Sequence, residues 1–221
     1  MSKRPFDFFI SFVVLLLFLP LGVVIAAILH FTGEGEVFYC QDRIGRYRHL
    51  FKIYKFATML KNSPNLGAGD ITVADDPRVL PLGRFLRQTK LNEVPQILNI
   101  LFGTMTIVGP RPLTPKNFLY YSSESQGIIS QMKPGLTGIG SIVFRDEERI
   151  LRASGKPFEQ CYREEIAPYK AQLERWYFFH RGLRTDILIV LITAWVILRP
   201  NSSVYRRVWK DLPAVPLSSH S

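Results

Sequence analysis

Residues Phe8 to Phe31 read FFISFVVLLLFLPLGVVIAAILHF, a run of 24 positions without Asp, Glu, Lys or Arg. At about 1.5 Å per residue, a helix of that length matches a hydrocarbon core of about 30 Å. A secretory leader would carry a shorter apolar core followed by a small-x-small cleavage site. Here the run continues through Ile28-Leu29-His30-Phe31, which reads as a retained membrane element.

The charges flanking this run constrain its path. Lys3 and Arg4 precede it; Arg43, Arg46, Arg48, Lys52 and Lys55 follow, with Asp42 the one acidic residue of 37–55. Basic flanks mark the cytoplasmic side, so both ends of the run look cytoplasmic, and one crossing cannot satisfy that. Pro20, with Gly22 close behind, offers a way out, because proline removes an N–H and clashes with the carbonyl four residues back. A break there leaves Phe8–Leu19, 12 residues and about 18 Å of helix, enough to enter half a bilayer and return. The alternative is a kinked span, since membrane helices tolerate proline. A second apolar run, Ile187–Leu198 (ILIVLITAWVIL), is too short to cross. Arg181, Arg184, Arg199, Arg206 and Arg207 flank it, with Tyr177, Trp195, Tyr205 and Trp209 nearby. That pattern fits an interfacial helix, or equally a buried core helix.

The 221 residues give one domain, or one with an appendage. With 47% hydrophobic and 21% charged residues the chain is not disordered. The net charge of +10 points to anionic partners: nucleic acid, lipid head groups or a phosphorylated substrate. A nucleic-acid binder is disfavoured, because no binding motif accompanies the charge. Cys40 and Cys161 fit no metal or redox spacing and read as reduced thiols, and the four histidines form no zinc array.

Between the apolar runs, Val37–Cys40 and His49–Tyr54 flank a basic turn at Asp42–Arg46 and predict a β-hairpin. Asn62–Asp70 reads as a loop. Arg78–Arg87 predicts a helix started by Pro81. Asn92–Leu101 (NEVPQILNIL) predicts another, capped by Asn92 with Pro95 in its first turn. Gly103–Leu113 reads as a glycine and proline turn around a short strand, and Pro134–Gly138 as a turn. Lys116–Gln131 and Phe158–Trp176 read as helices, and the chain after Pro200 as an irregular, mobile tail.

Arg84, Arg87 and Lys90 precede Glu93, and Arg111 sits in the turn Val108-Gly109-Pro110-Arg111-Pro112. Prolines on both sides would hold the backbone of Arg111 stiffly. Guanidinium forks match phosphate oxygens, and a carboxylate can hold Mg²⁺ against a leaving pyrophosphate. On spacing alone the competing reading stays open: a solvated basic surface, with Glu93 capping its helix.

The stretch Leu91-Asn92-Glu93-Val94-Pro95-Gln96…Asn99-Ile100-Leu101…Gly103…Met105…Val108-Gly109-Pro110-Arg111-Pro112 resembles the bacterial sugar transferase family, the monotopic polyprenyl-phosphate phosphoglycosyl transferases with their LDELPQ…VGPRP pattern. The likeness extends to Lys3-Arg4…Asp7 with Pro20, to Gln41…Arg43…Gly45…Phe51…Lys55-Phe56…Thr58-Met59, to Asp76…Arg78…Gly83-Arg84…Leu86-Arg87, and to Pro134-Gly135-Leu136-Thr137-Gly138.

The resemblance implies a reaction in which a UDP-sugar gives its sugar-1-phosphate to undecaprenyl phosphate and UMP leaves, with Mg²⁺ required, as the first step of a surface-glycan pathway. It implies partners (a UDP-sugar, undecaprenyl phosphate, membrane lipids, with a homodimer open and no nucleic acid) and a place at the cytoplasmic face of the bacterial inner membrane. By position Asn92 and Glu93 occupy the catalytic dyad, with Glu93 as metal ligand. Arg111 would bind donor or acceptor phosphate, with Arg87, Lys55 and Arg145 as weaker phosphate candidates. For Arg145 an ion pair with Asp146, Glu147 or Glu148 is an equal alternative. The expected fold is α+β and mostly helical: a re-entrant membrane helix broken at Pro20 (1–31), a catalytic domain with a small β-hairpin (32–185), and an interfacial helix with the tail (186–221).

Three positions depart from the family pattern. Ala57 stands where Arg is usual, Ser141 where Gln is common, and Asn92 where the nucleophilic Asp is expected. A carboxamide is a poor nucleophile and a weak metal ligand. Either Glu93 attacks, or the lipid phosphate attacks directly with Glu93 on Mg²⁺, or the chain is an inactive membrane scaffold of the same fold.

Overall fold

The computed structural model describes residues 3–32, 34–63, 76–145, 147–199 and 202–214, without the side chains of Glu148, Arg152, Ala153 and Phe158. In chain order the elements are α1 (Arg4–Thr32), β1 (Phe38–Ile44), β2 (Leu50–Phe56), α2 (Pro81–Gln88), α3 (Gln96–Phe102), β3 (Thr106–Val108), α4 (Pro115–Phe118), α5 (Ser123–Ile129), β4 (Gly135–Thr137), α6 (Ile139–Val143), α7 (Glu147–Ala153), α8 (Phe158–Cys161), α9 (Ala167–His180), α10 (Leu183–Leu198) and α11 (Val204–Val208). The chain is mostly helical, with two two-stranded sheets, β1–β2 and β3–β4. It divides into two compact units. The first holds 1–42 and 52–106, the second 43–51 and 107–221.

In the first unit, α1 is one helix of 29 residues that runs on through Pro20. The expected break is therefore not a loss of helix, and a re-entrant path would need only a change of axis direction there. Among the described residues α1 is the one helix long and apolar enough to cross a membrane. Phe9, Leu16, Leu17, Val23 and Phe31 are exposed along it, while its burial is confined to the two ends: Asp7 and Ser11, then Ile25 and Leu29.

Both ends are held by the same unit. At the N-terminal end the Arg4 guanidinium donates to the carbonyls of Ile100 and Leu101, a cation at the negative end of α3. Thr106 Oγ1 donates to Asp7 Oδ2 at 2.6 Å. At the other end Ile25 and Leu29 pack with Phe56 and Leu86. Gly103 ends α3 with a left-handed φ of 83°, and a Cβ there would lie 3.2 Å from the Arg4 guanidinium. Conformation and contact thus both require glycine at that cap.

The hairpin forms as expected, with longer strands. Its turn lies at Arg46–His49, where Tyr47 and Arg48 adopt left-handed φ of 56° and 64°. The helix expected over Asn92–Leu101 begins later. Leu91–Glu93 is a 3₁₀ turn, Asn92 caps nothing, and Pro95 is the N-cap of α3. The loop expected at Asn62–Asp70 falls from residue 64 onward outside the described residues.

In the second unit, α9 and α10 carry the core. Leu173, Trp176 and Tyr177 of α9 pack with Ile139, Ile189, Ile192 and Val196. The single helix expected over Lys116–Gln131 is two, α4 and α5. Thr114 and Ser122 each accept from a main-chain N–H three residues on and so start a new helix. The helix expected over Phe158–Trp176 contains a π turn at Tyr162–Ile166 between α8 and α9. The turn expected at Pro134–Gly138 is strand β4, paired with β3.

α10 divides by face. Asp186, Ile189, Ile192 and Val196 are buried in the core, while Leu183, Ile187, Leu191, Trp195 and Leu198 are exposed. The stretch read as an irregular tail is packed over 202–214. α11 forms, Trp209 meets Trp176 edge-on at 5.7 Å, Trp176 Nε1 donates to Asp211 Oδ2 at 2.7 Å, and Tyr169 donates to the Pro213 carbonyl at 3.0 Å.

Candidate active site

The first unit brings three of the sequence-derived site residues into one neighbourhood. α2 ends at Gln88, and Lys90 turns the chain through a left-handed φ of 62° into the 3₁₀ turn that carries Asn92 and Glu93. Lys55 of β2 lies 3.6 Å from Glu93, Nζ to Oε1, with both side chains largely buried. Asn92 is buried, and its Oδ1 has no hydrogen-bond partner. A buried acceptor left unmatched is costly, so a donor or a cation brought to this oxygen would be stabilised. Arg87 lies on α2, with its guanidinium 3.6 Å from the sulfur of Met59.

The neighbourhood is fixed by a residue that sequence reading left as part of a motif. Asn99 of α3 is fully buried and pairs with β2 as a further strand would: its Oδ1 accepts from Tyr54 N–H at 3.0 Å and its Nδ2 donates to the Lys52 carbonyl at 2.8 Å. That docks α3 on β2 next to Lys55. The signal was a polar residue inside the apolar repeat Ile97…Ile100-Leu101. A second missed anchor is the buried pair Asp76–Arg78. Arg78 Nε and Nη2 donate to the two carboxylate oxygens at 2.9 and 2.6 Å, and Nη1 donates to the Ser63 carbonyl at 2.7 Å. The fork joins the chain at 63 to the chain at 76–78. Gly83 allows α2 to lie against Thr58, whose carbonyl oxygen would be 2.2 Å from a Cβ.

In the second unit, Arg111 stands half-buried in a turn whose neighbours Gly109, Pro110 and Pro112 are buried. β4 supports the turn at close range: Gly109 N–H donates to Thr137 O at 3.0 Å and Gly135 N–H to Pro110 O at 2.8 Å. A Cβ on Gly135 or Gly138 would fall 2.1–2.2 Å from the main chain of Gly109. This explains why the two motifs VGPRP and PGLTG occur together. Arg43 Nη1 donates to the Pro112 carbonyl at 3.1 Å, and Tyr177 of α9 donates to the Val108 carbonyl at 3.1 Å while bonded to Asp186 at 2.7 Å.

Arg145 lies at the end of α10, its Nη2 3.5 Å from the Ile197 carbonyl. Of the ion-pair partners considered for it, Glu147 bonds Lys170 instead at 2.7 Å, while Asp146 and the Glu148 side chain lie outside the described residues. Of the departures, Ala57 is buried, and Ser141 is half-buried with an unpartnered Oγ.

Among the described residues no three His, Cys, Asp or Glu side chains gather as a metal cluster. The donors near the dyad are one carboxylate, Glu93, and one unmatched carboxamide oxygen, Asn92. Of these, the Glu93 carboxylate fits Mg²⁺, which protein commonly holds with one or two carboxylates while substrate phosphates and water complete the shell.

These features define a class: a protein with a long apolar helix secured at both ends, a carboxylate–lysine pair on a fixed turn, and a clamped arginine. The chain belongs to the bacterial sugar transferase family, whose model matches residues 1–200. It is 36% identical over 161 residues to the exopolysaccharide production protein ExoY of Rhizobium meliloti, covering 66% of this chain and 71% of that protein. It is 33% identical to an undecaprenyl-phosphate glucose phosphotransferase of Komagataeibacter xylinus, over 66% of this chain and 30% of that one. It is 29% identical to an undecaprenyl-phosphate galactose phosphotransferase of Salmonella typhimurium, over 91% of this chain and 41% of that one. The chain thus spans less than half of either phosphotransferase. The family is one of enzymes, and nothing in these likenesses supports the scaffold reading.

Proposed function

We propose that this protein transfers a sugar-1-phosphate from a UDP-sugar to undecaprenyl phosphate at the cytoplasmic face of the membrane, releasing UMP and starting a surface glycan. The observation that carries the reading is the Lys55–Glu93 pair beside the unmatched Asn92 oxygen, in a chain of this family. Glu93 would hold Mg²⁺, which when bound would neutralise charge on the donor pyrophosphate. Lys55, 3.6 Å away, orients the Glu93 carboxylate. Arg111 takes the donor phosphates, with Arg87 and Arg145 as further phosphate ligands. The lipid phosphate is the nucleophile: it is already anionic at neutral pH and needs no base, whereas Glu93 would have to reach a point set for the residue before it.

The attachment of α1 supports a re-entrant path. About 33 Å of helix separates Asp7 from Leu29, yet both are buried on the same unit. A straight crossing would leave those ends on opposite sides of the bilayer. The exposed apolar side of α10, with Arg184 and Arg199 at its ends, suits the interface of the same membrane. In functional terms 1–31 is then the membrane element, 32–185 the catalytic part and 186–221 the interfacial part.

The test is incubation of purified protein with undecaprenyl phosphate, Mg²⁺ and a panel of UDP-sugars. UMP release dependent on both lipid and Mg²⁺ is expected. Absence of release with every donor, from folded protein, refutes the reading.

A further inference from the structure

The turn that presents Arg111 has one main-chain donor. Pro110 and Pro112 have no N–H, so the N–H of Arg111 is the single handle by which the stretch 110–112 can be held from the donor side. That N–H donates to the carboxylate of Glu174, at the middle of α9. Glu174 is fully buried, and its Oε2 has no hydrogen-bond partner. Together with Pro110, Arg111, Tyr121 and Lys170 it lines a small cavity beneath the turn. The fold makes room for it: a Cβ on Gly140 of α6 would lie 2.6 Å from Glu174 Oε1. One helical turn further along, Tyr177 bonds the Val108 carbonyl, so α9 grips this segment on both sides of Gly109.

We infer that Glu174 is a positioning residue for Arg111, and that phosphate binding at the Pro110–Pro112 turn depends on the charge of this buried carboxylate. The inference rests on the reading of Arg111 as a ligand of the donor phosphates. An ionised carboxylate accepts a main-chain N–H about twice as strongly as a neutral acceptor does, so the ionised form fixes the turn and the protonated form loosens it.

Burial pushes the Glu174 carboxyl up to about 7, with the Arg111 N–H and the charge of Lys170 pulling the other way. The groups that face it can be named element by element. α9 contributes Lys170 and Tyr177, and the turn after α4 contributes Tyr121; both tyrosines are raised above their ordinary values, by burial first. α7 contributes Glu147, which is bonded to Lys170. The π turn contributes Tyr162, whose ring lies 5.1 Å from Lys170 Nζ. α6 presents only Gly140. On α5, Glu124 pairs with Arg175 on the exposed side of α9. Comparison with Glu174→Gln, which differs from wild type only in the ionisable group at this position, isolates the contribution of Glu174.

The experiment measures binding of UDP to the full-length protein in lipid nanodiscs, with Mg²⁺, between about pH 5.5 and 8.5. Wild type, Glu174→Gln, Gly140→Ala and Arg111→Lys are compared, each with its thermal transition recorded. UDP itself titrates within this range, so the signal is the difference between variants. Wild-type affinity should fall about tenfold more on acidification through 7 than that of Glu174→Gln, which keeps shape and an acceptor but cannot ionise. Gly140→Ala displaces the carboxylate without touching Arg111 and should flatten the profile in the same way. The inference is overturned if Arg111→Lys weakens binding while both Glu174→Gln and Gly140→Ala keep the wild-type profile. If Arg111→Lys binds UDP as wild type does, it is the donor-phosphate reading of Arg111 that fails.

Discussion

Asn99 and Tyr54 are joined by a side-chain-to-main-chain bond of 3.0 Å that makes α3 a partner of strand β2. With the 2.8 Å bond to the Lys52 carbonyl it fixes β2, which bears Lys55, against α3, which directly follows the turn bearing Glu93. Asn99→Ala should cost about 2–3 kcal/mol, the penalty for leaving a buried N–H and C=O of the strand unmatched. Chemical denaturation measures it. Activity should fall further than the remaining folded fraction explains, and a variant with wild-type stability would show that water replaces the side chain.

Glu93 is the one carboxylate of the dyad, and Glu93→Gln should abolish turnover. With direct attack by the lipid phosphate, UDP-sugar alone gives no burst of UMP and the initial-rate plots intersect. A stoichiometric burst, with a sugar-phosphate mass on the peptide containing Glu93, would make Glu93 the nucleophile instead. Asn92→Asp should raise the rate by supplying the carboxylate that the family pattern has there.

Arg111→Lys retains the charge and loses the planar fork. We expect kcat/KM to fall by about a hundredfold or more, the scale of a lost bidentate phosphate contact, with the thermal transition unchanged. A variant within about threefold of wild type would remove Arg111 from phosphate binding.

Glu174 should also mark the pH dependence of stability. Its folded-state value, about 7, lies above the unfolded value near 4.5. The native state therefore holds an extra proton between these limits. The favourable contribution is complete below the unfolded value and is lost as pH rises through about 7, by up to about 3 kcal/mol. Glu174→Gln should melt higher than wild type at pH 8 and no higher at pH 4. That gain with lost phosphate binding would be the trade expected of a functional buried charge.

The path of α1 can be read with a membrane-impermeant thiol reagent. Cys40 is exposed and follows α1, whereas Cys161 is buried. In a variant with cysteine at Lys3, positions 3 and 40 should react from the same side of the membrane. Reaction from opposite sides would establish a crossing.

Much of this was legible in the amino-acid sequence. The charge-free run from Phe8 to Phe31, the helix begun by Pro81, the hairpin and the family blocks around Asn92–Glu93 and Arg111 are local signals, written in hydrophobic spacing, proline and glycine chemistry and motif order. The boundary of α3 and the division of 116–131 into two helices were misread, because caps at Pro95, Thr114 and Ser122 compete with apolar periodicity over only a few residues. What the tertiary structure alone decided was which polar groups are buried and what they hold. Lys170 and Glu174 lie four apart on a helix, the spacing of a solvated surface pair, yet both are buried and one of them receives the Arg111 N–H. Asn99 looks like an interruption in an apolar repeat and is a strand partner. Pro134–Gly138 looks like a turn and is a strand, because Gly135 and Gly138 approach the main chain of Gly109 within distances that a Cβ on either would forbid. Such pairings join residues tens of positions apart, and their free energy comes from desolvation and close approach, which exist only once the chain has folded.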